Sequence, residues 1–177
     1  MLKLPGVKPG SDIEALFVAS GFFVIMWGHA EQSLEQIVSI LYDHYPVEKP
    51  KRLPFVLEKK LEFIRSCAES TEYSLFCAVD LMRLSVDFEE LANIRHGLIH
   101  GAIMSFEPEG GSFTFIKLRS SKNSRIRKTV ELSSSEFPSL TKNLLRLGDD
   151  TNRLARALWD SKPSVLLSAE PLLPGSI

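Results

Sequence analysis

The chain of 177 residues holds only two cysteines, Cys67 and Cys77. Both lie in helical patterns without the close spacing of a metal site, so they read as small core residues of a reducing compartment. Neither paired cysteines nor an HExxH run is present, and with them go the commonest zinc sites. An excess of one charge sign is missing too. A formal net charge of −1 gives no global attraction to nucleic acid, so any RNA contact must come from local patches. The chain also has no apolar run long enough to span a bilayer, because the segment 15–27 lasts about 13 residues against the roughly 20 required. That segment follows Lys3, Lys8, Asp12 and Glu14 and carries no small-residue cleavage site, which speaks against a signal peptide. It reads as the buried half of a long helix, with no membrane partner and a cytoplasmic location by default. No internal repeat is visible.

What is present suits one globular domain. Hydrophobic residues make up 44% and charged residues 24%, ordinary values for a chain long enough to bury a core. Residues 1–162 are read as one domain and residues 163–177, with Pro163, Pro171 and Pro174, as a C-terminal tail. Ser11 or Asp12 caps a first helix over 12–45, with Trp27, Glu31, Leu34, Val38 and Leu41 at helical spacing, and Pro46, Pro50 and Pro54 end it. A second helix spans 55–70, with a stripe of Leu57, Leu61, Ile64 and Ala68. A third spans 72–100, with a stripe of Leu75, Val79, Met82, Val86 and Leu91.

After Gly101 the period changes. Ile103 and Phe106, then Phe113, Phe115 and Lys117, alternate around Pro108, Glu109, Gly110 and Gly111, the signature of a hairpin. Ile126, Thr129, Val130 and Leu132 suggest a third strand. The last helix, 135–160, is capped by Ser134 or Ser135, with Leu140, Leu144, Leu147, Thr151, Leu154 and Leu158 on one stripe. The expected fold is therefore mainly α, an antiparallel bundle with a small antiparallel β insertion at about 102–132 before the last helix.

The chemistry concentrates at the end of the third helix, in Asn93-Ile94-Arg95-His96-Gly97-Leu98-Ile99-His100-Gly101. An arginine can clamp a phosphate and stabilise the charge that grows on it. A histidine titrates near neutrality and can take and return a proton. Five residues separate Arg95 from His100 by about 140° and about 7.5 Å on an ideal helix, so one straight helix is not expected to close both on one phosphate. Either the last turn distorts near Gly97 and Gly101, or a second copy completes the pocket across a two-fold axis. His96 and His100 stand four apart on one helix face, but His29 and His44 are distant and no third metal ligand is apparent. No metal or other cofactor is expected.

The run resembles the Arg-polar-x-x-x-His signature of the HEPN superfamily, helical domains many of which are metal-independent ribonucleases working as dimers. The resemblance implies an endoribonuclease of toxin or defence type, in which the ribose 2′-OH attacks to leave a 2′,3′-cyclic phosphate and a 5′-OH. It implies Arg95 and His100 as catalytic residues, His96 in the polar position lining the cleft, Asn93 in support, RNA and a second copy as partners, and a cognate antitoxin. A non-catalytic RNA- or nucleotide-binding module of the same fold, or a helical interaction protein, is the alternative. Members silenced by a nucleotidyltransferase carry a tyrosine two positions past the histidine. Here that position is Ala102, so that control is not expected.

Two further features bear on the site. Glu31 interrupts the apolar stripe of the first helix and needs a partner there, for which Arg95 is the natural candidate, although Arg95 could equally cap carbonyls or pair with Glu89 or Glu90. Lys117, Arg119, Lys122, Arg125, Arg127 and Lys128 put six basic residues into twelve positions without an acid. They could track an RNA backbone, or protect a strand edge.

Overall fold

The computed structural model describes residues 7–70, 75–121 and 124–163, and within 118–128 only the backbone. It is mainly helical: α1 (Asp12–His44), α2 (Leu57–Glu69), α3 (Ala78–His100), strands β1 (Ala102–Glu107), β2 (Ser112–Ser121) and β3 (Ser124–Ser133), and α4 (Phe137–Asp160). The tail beyond 163 and the start of the expected third helix, residues 71–74, lie outside the described residues. Leu75 to Cys77 form a turn, so α3 begins at Ala78 and not near residue 72.

Local chemistry explains the ends. The Ser11 side chain accepts from the Glu14 amide, 3.3 Å away, and caps α1. The cap expected at Ser134 or Ser135 belongs instead to Ser133, whose hydroxyl accepts from the Ser135 amide while Glu136 reaches back to the Ser133 amide, 2.7 Å away. This capping box closes a single 3-10 turn, from which α4 departs with a proline in its first turn.

The main core is the row Trp27, Ala30, Leu34, Ile37, Val38 and Leu41 of α1, packed against Leu61 and Ile64 of α2, Leu81, Leu84 and Phe88 of α3 and Leu144, Leu147 and Leu158 of α4. Burying each large aliphatic or aromatic side chain contributes about 1.5–3 kcal/mol. Helix α4 runs antiparallel to α3, as the ion pairs Arg83–Asp150 and Arg146–Asp87 require. The stripe expected on α3 is turned: Val79 and Val86 are exposed, and Leu81, Leu84, Ser85 and Phe88 face inward. Cys67 and Cys77 are free and buried, and burial pushes their thiols up to about 12 and about 11, which keeps both protonated at neutral pH.

The three strands form one antiparallel sheet in the order β1-β2-β3. Its hairpin turns at Gly111, whose φ of +57° suits glycine and where a Cβ would run into Ser134 and Asp12. Phe113, Phe115 and Leu132 form a second core with Leu16 of α1 and Phe137 of α4, against which Ile94 and Leu98 of α3 also pack. The sheet thus lies across the N-terminal half of α1 and the C-terminal end of α3.

That arrangement overturns the reading of 15–27 as buried. Leu16, Phe23 and Trp27 face the core, but Phe17, Val18, Val24 and Ile25 are exposed, because the sheet and the other helices cover one side of α1 alone. By length and composition α1 can cross a membrane, and 22% of its apolar 18-residue window is buried within the chain. The limit drawn from a 13-residue run therefore does not describe the whole helix.

Candidate active site

Helix α3 continues unbroken through Gly97 to His100. Gly97 is buried between helix and sheet, and a Cβ there would stand 2.9 Å from that of Val130. The absent side chain is what lets β3 press against the helix within two residues of Arg95. Gly101, the residue after the helix, has φ −87° and ψ 150°, so it is not the left-handed glycine cap that a helix end often uses. Its role is steric, since a Cβ would collide with the Gly97 carbonyl and press on Phe115.

On this straight final turn Arg95 and His100 nevertheless meet. Nη1 of the arginine stands 3.5 Å from Nε2 of the histidine. The expectation that one helix keeps them apart is corrected: 140° separates the Cα–Cβ directions, but the arginine side chain is long enough to sweep around the turn. With the guanidinium as donor, the neutral imidazole carries its proton on Nδ1. Arg95 is half-buried and His100 exposed. The Nε–H of Arg95 is buried without a hydrogen-bond partner, a donor in want of an acceptor.

His96 completes the group. Its ring lies 5.6 Å from that of His100, and its Nδ1 bonds the Ala92 carbonyl at 3.0 Å, which leaves Nε2 as the open acceptor. Loss of water from the ring lowers its pKa, partly offset by the Ala92 bond, and the charges of Lys117, Arg95 and His100 lower it further. Lys117 of β2 therefore belongs to this corner, which gathers four nitrogen bases. A cation would be repelled here, and among the described residues no three His, Cys, Asp or Glu side chains could hold a metal ion.

Glu31 does not pair with Arg95. Its carboxylate accepts from the indole Nε1 of Trp27 at 3.0 Å, and no ion pair among the described residues involves either Glu31 or Arg95. Arg95 lies over the same indole, its guanidinium carbon 5.9 Å from the ring centroid. Trp27, read in the sequence as a stripe residue alone, thus stands between the two and is held by Phe23 and Phe88. Its spacing of four from Glu31 was the available signal. Asn93, exposed and about 200° around the helix from Arg95, turns its amide to the Glu89 carbonyl at 3.3 Å.

Of the basic run, Lys122 lies outside the described residues. The register sets Lys128 opposite Lys117, Arg127 opposite Leu118, Ile126 opposite Arg119 and Arg125 opposite Ser120. Cross-strand partners share a face, so Lys117, Arg119 and Lys128 occupy one alternating set of positions and Arg125 and Arg127 the other. A cavity of about 550 Å³ opens elsewhere, at the connection of α1 and α2 between Lys49, Leu53, Phe55 and Phe63, and no motif residue lines it. No protein-family model matches the chain, and neither a curated protein nor a solved structure shows significant similarity to it.

Proposed function

We propose that this chain is a metal-independent endoribonuclease of toxin or defence type, in the manner of the HEPN proteins that its motif resembles. The observation that carries the reading is the meeting of Arg95 and His100 at 3.5 Å, with a second imidazole 5.6 Å away, on an open surface. An open corner suits a polymer more than a small metabolite.

The chemistry follows from the groups. A phosphodiester replaces the imidazole as acceptor for Arg95 Nη1, which frees His100. Neutral His96 takes the proton of the 2′-OH, and the oxygen forms its bond to the adjacent phosphorus. Arg95 stabilises the charge on the non-bridging oxygens. The bond to the 5′-oxygen breaks as that oxygen takes a proton from protonated His100, leaving a 2′,3′-cyclic phosphate and a 5′-OH. A cognate antitoxin would act by covering this corner.

A mixed RNA incubated in EDTA should be cut by the wild type and left intact by His100→Ala. Loss of cleavage in chelator with rescue by a divalent ion would replace the reading with a metal enzyme. The basic residues of β2 and β3 favour a second reading, an RNA-binding module without cleavage, for which tight binding unaffected by His100→Ala would be the mark.

A further inference from the structure

The connection between α1 and α2, residues 45–56, leaves an apolar wall uncovered. Phe55 is 87% exposed, and Leu53 and Val56 beside it are exposed as well. With Pro50 and with Phe63 of α2 they line the cavity of about 550 Å³, a volume within the range of ligand sites. Its rim is basic. Lys59 is neutralised by Glu62, 2.7 Å away, but Lys49 and Arg52 have no ion pair among the described residues, and Lys51 stands between them in the chain. Of the acids that line the cavity, Glu48 alone is left to oppose these three. An occupant must therefore bring both apolar side chains and negative charge.

Residues 164–177 meet both demands. They hold Val165, Leu166, Leu167, Leu172 and Leu173, with Glu170 as their one charged side chain. They also carry Pro171-Leu172-Leu173-Pro174, a spacing suited to a groove walled by aromatic rings, because prolines three apart share a side of a polyproline helix. Their point of departure is close by. At the end of α4 the Tyr45 hydroxyl donates to the Leu158 carbonyl at 2.8 Å, and the Trp159 ring stands 5.7 Å from that of His44. On the same last turn of α1, Tyr42 donates to the Pro50 carbonyl at 3.3 Å and its ring lies 6.2 Å from that of Phe63. The end of α4 and the cavity thus flank one helical turn. From Pro163 to Glu170 an extended chain spans up to about 23 Å, roughly twice the width of a helix.

We propose that residues 164–177 dock in this cavity of their own chain, with Leu172 and Leu173 against Phe55 and Phe63 and with Glu170 at Lys49 and Arg52. Tethering favours them over a free peptide, because a short linker holds its segment at about millimolar effective concentration. The docking stands apart from the ribonuclease reading.

In the full chain, Leu172→Asp with Leu173→Asp should release the segment and open the cavity. Titrated with a synthetic peptide of residues 164–177 and followed by NMR, this variant should bind with a Kd below about 1 mM, and the wild type about 10-fold or more weakly, since its own segment competes. A peptide with Glu170→Lys should bind the released variant about fivefold or more weakly, and adding Lys49→Glu with Arg52→Glu to the protein should restore it. On mild oxidation Val56→Cys with Leu172→Cys should form a disulfide within one chain, while Gln36→Cys with Leu172→Cys, in the groove between α1 and α4, should not. Cys67 and Cys77 are buried and take no part. No binding by the released variant at about 1 mM peptide, or equal binding by the wild type, overturns the proposal. So do disulfides between chains, which would give the segment to a second copy, and a cross-link at position 36 in place of 56. Indifference to the charge at 170 refutes the pairing with Lys49 and Arg52.

Discussion

Val130 of β3 occupies the space that a side chain on Gly97 would need, 2.9 Å from the position of its Cβ. Alanine at 97 would gain about 1 kcal/mol of helix propensity over glycine, but the overlap with a packed β-branched side chain costs about 1–3 kcal/mol. Gly97→Ala should therefore lower stability and shift the turn that carries Arg95 and His100. Adding Val130→Ala should restore part of the loss. Thermal unfolding of the two single variants and the double measures this, and strict additivity would show that the contact is not the cause.

His100 is exposed at the helix end, and Arg95, half-buried over the Trp27 indole, reaches it with Nη1. Their alanine variants should lose less than about 1–2 kcal/mol of stability, while cleavage should fall 100-fold or more. Arg95→Lys should recover little, because an ammonium lacks the planar fork. Unfolding curves beside single-turnover rates separate the roles, and a His100→Ala protein that cuts at the wild-type rate would remove the residue from the chemistry.

The lowered pKa of His96 has two consequences of the same sign. In the unfolded chain the imidazole protonates near its ordinary value of about 6.5, while the folded site resists the proton. The stability this gives is present above that value and declines as the pH falls through the lowered one. Cleavage that uses neutral His96 should persist below pH 6.5 and then fall on an acid limb. His96→Asn should flatten the pH dependence of stability and abolish that limb. Titration of the ring by NMR with a pKa above 6.5 would contradict both.

Trp27→Phe keeps the aromatic packing against Phe23 and Phe88 but removes the donor to Glu31. Losing one such hydrogen bond should cost about 1 kcal/mol. The carboxylate, released, can then draw Arg95 away from His100. Cleavage should drop in Trp27→Phe and recover in part when Glu31→Gln is added. No recovery would mean that the indole acts on Arg95 by packing alone.

Lys117 and Lys128, paired in register, test whether the basic strands guide RNA. Reversing both to glutamate should weaken binding alike for all sequences and flatten its salt dependence by about one unit of slope per lost phosphate contact. Arg125→Glu with Arg127→Glu, at the alternate positions, measures the other set. A filter-binding series from low to high salt reads both, and unchanged affinity at low salt would leave the run as strand-edge protection.

Much of this fold was legible because its signals are local. The prolines after Tyr45, the change from helical to alternating spacing after Gly101 and the leucine stripe of α4 each depend on residues a few positions apart, and local spacing is what sets backbone period. His96 and His100 were bound to share a face for the same reason. Local spacing does not say which face of an apolar helix is covered. On α3 the leucines of the inner face and the valines of the outer face are chemically alike, and only packing against α2, the other helices and the sheet chose between them. On α1 the same ambiguity hid an exposed face behind an apolar run. The meeting of Arg95 with His100, the place of Trp27 beside Glu31 and the arrival of Lys117 next to His96 were decided in three dimensions, because long side chains and a strand from elsewhere in the chain close distances that no helical wheel records.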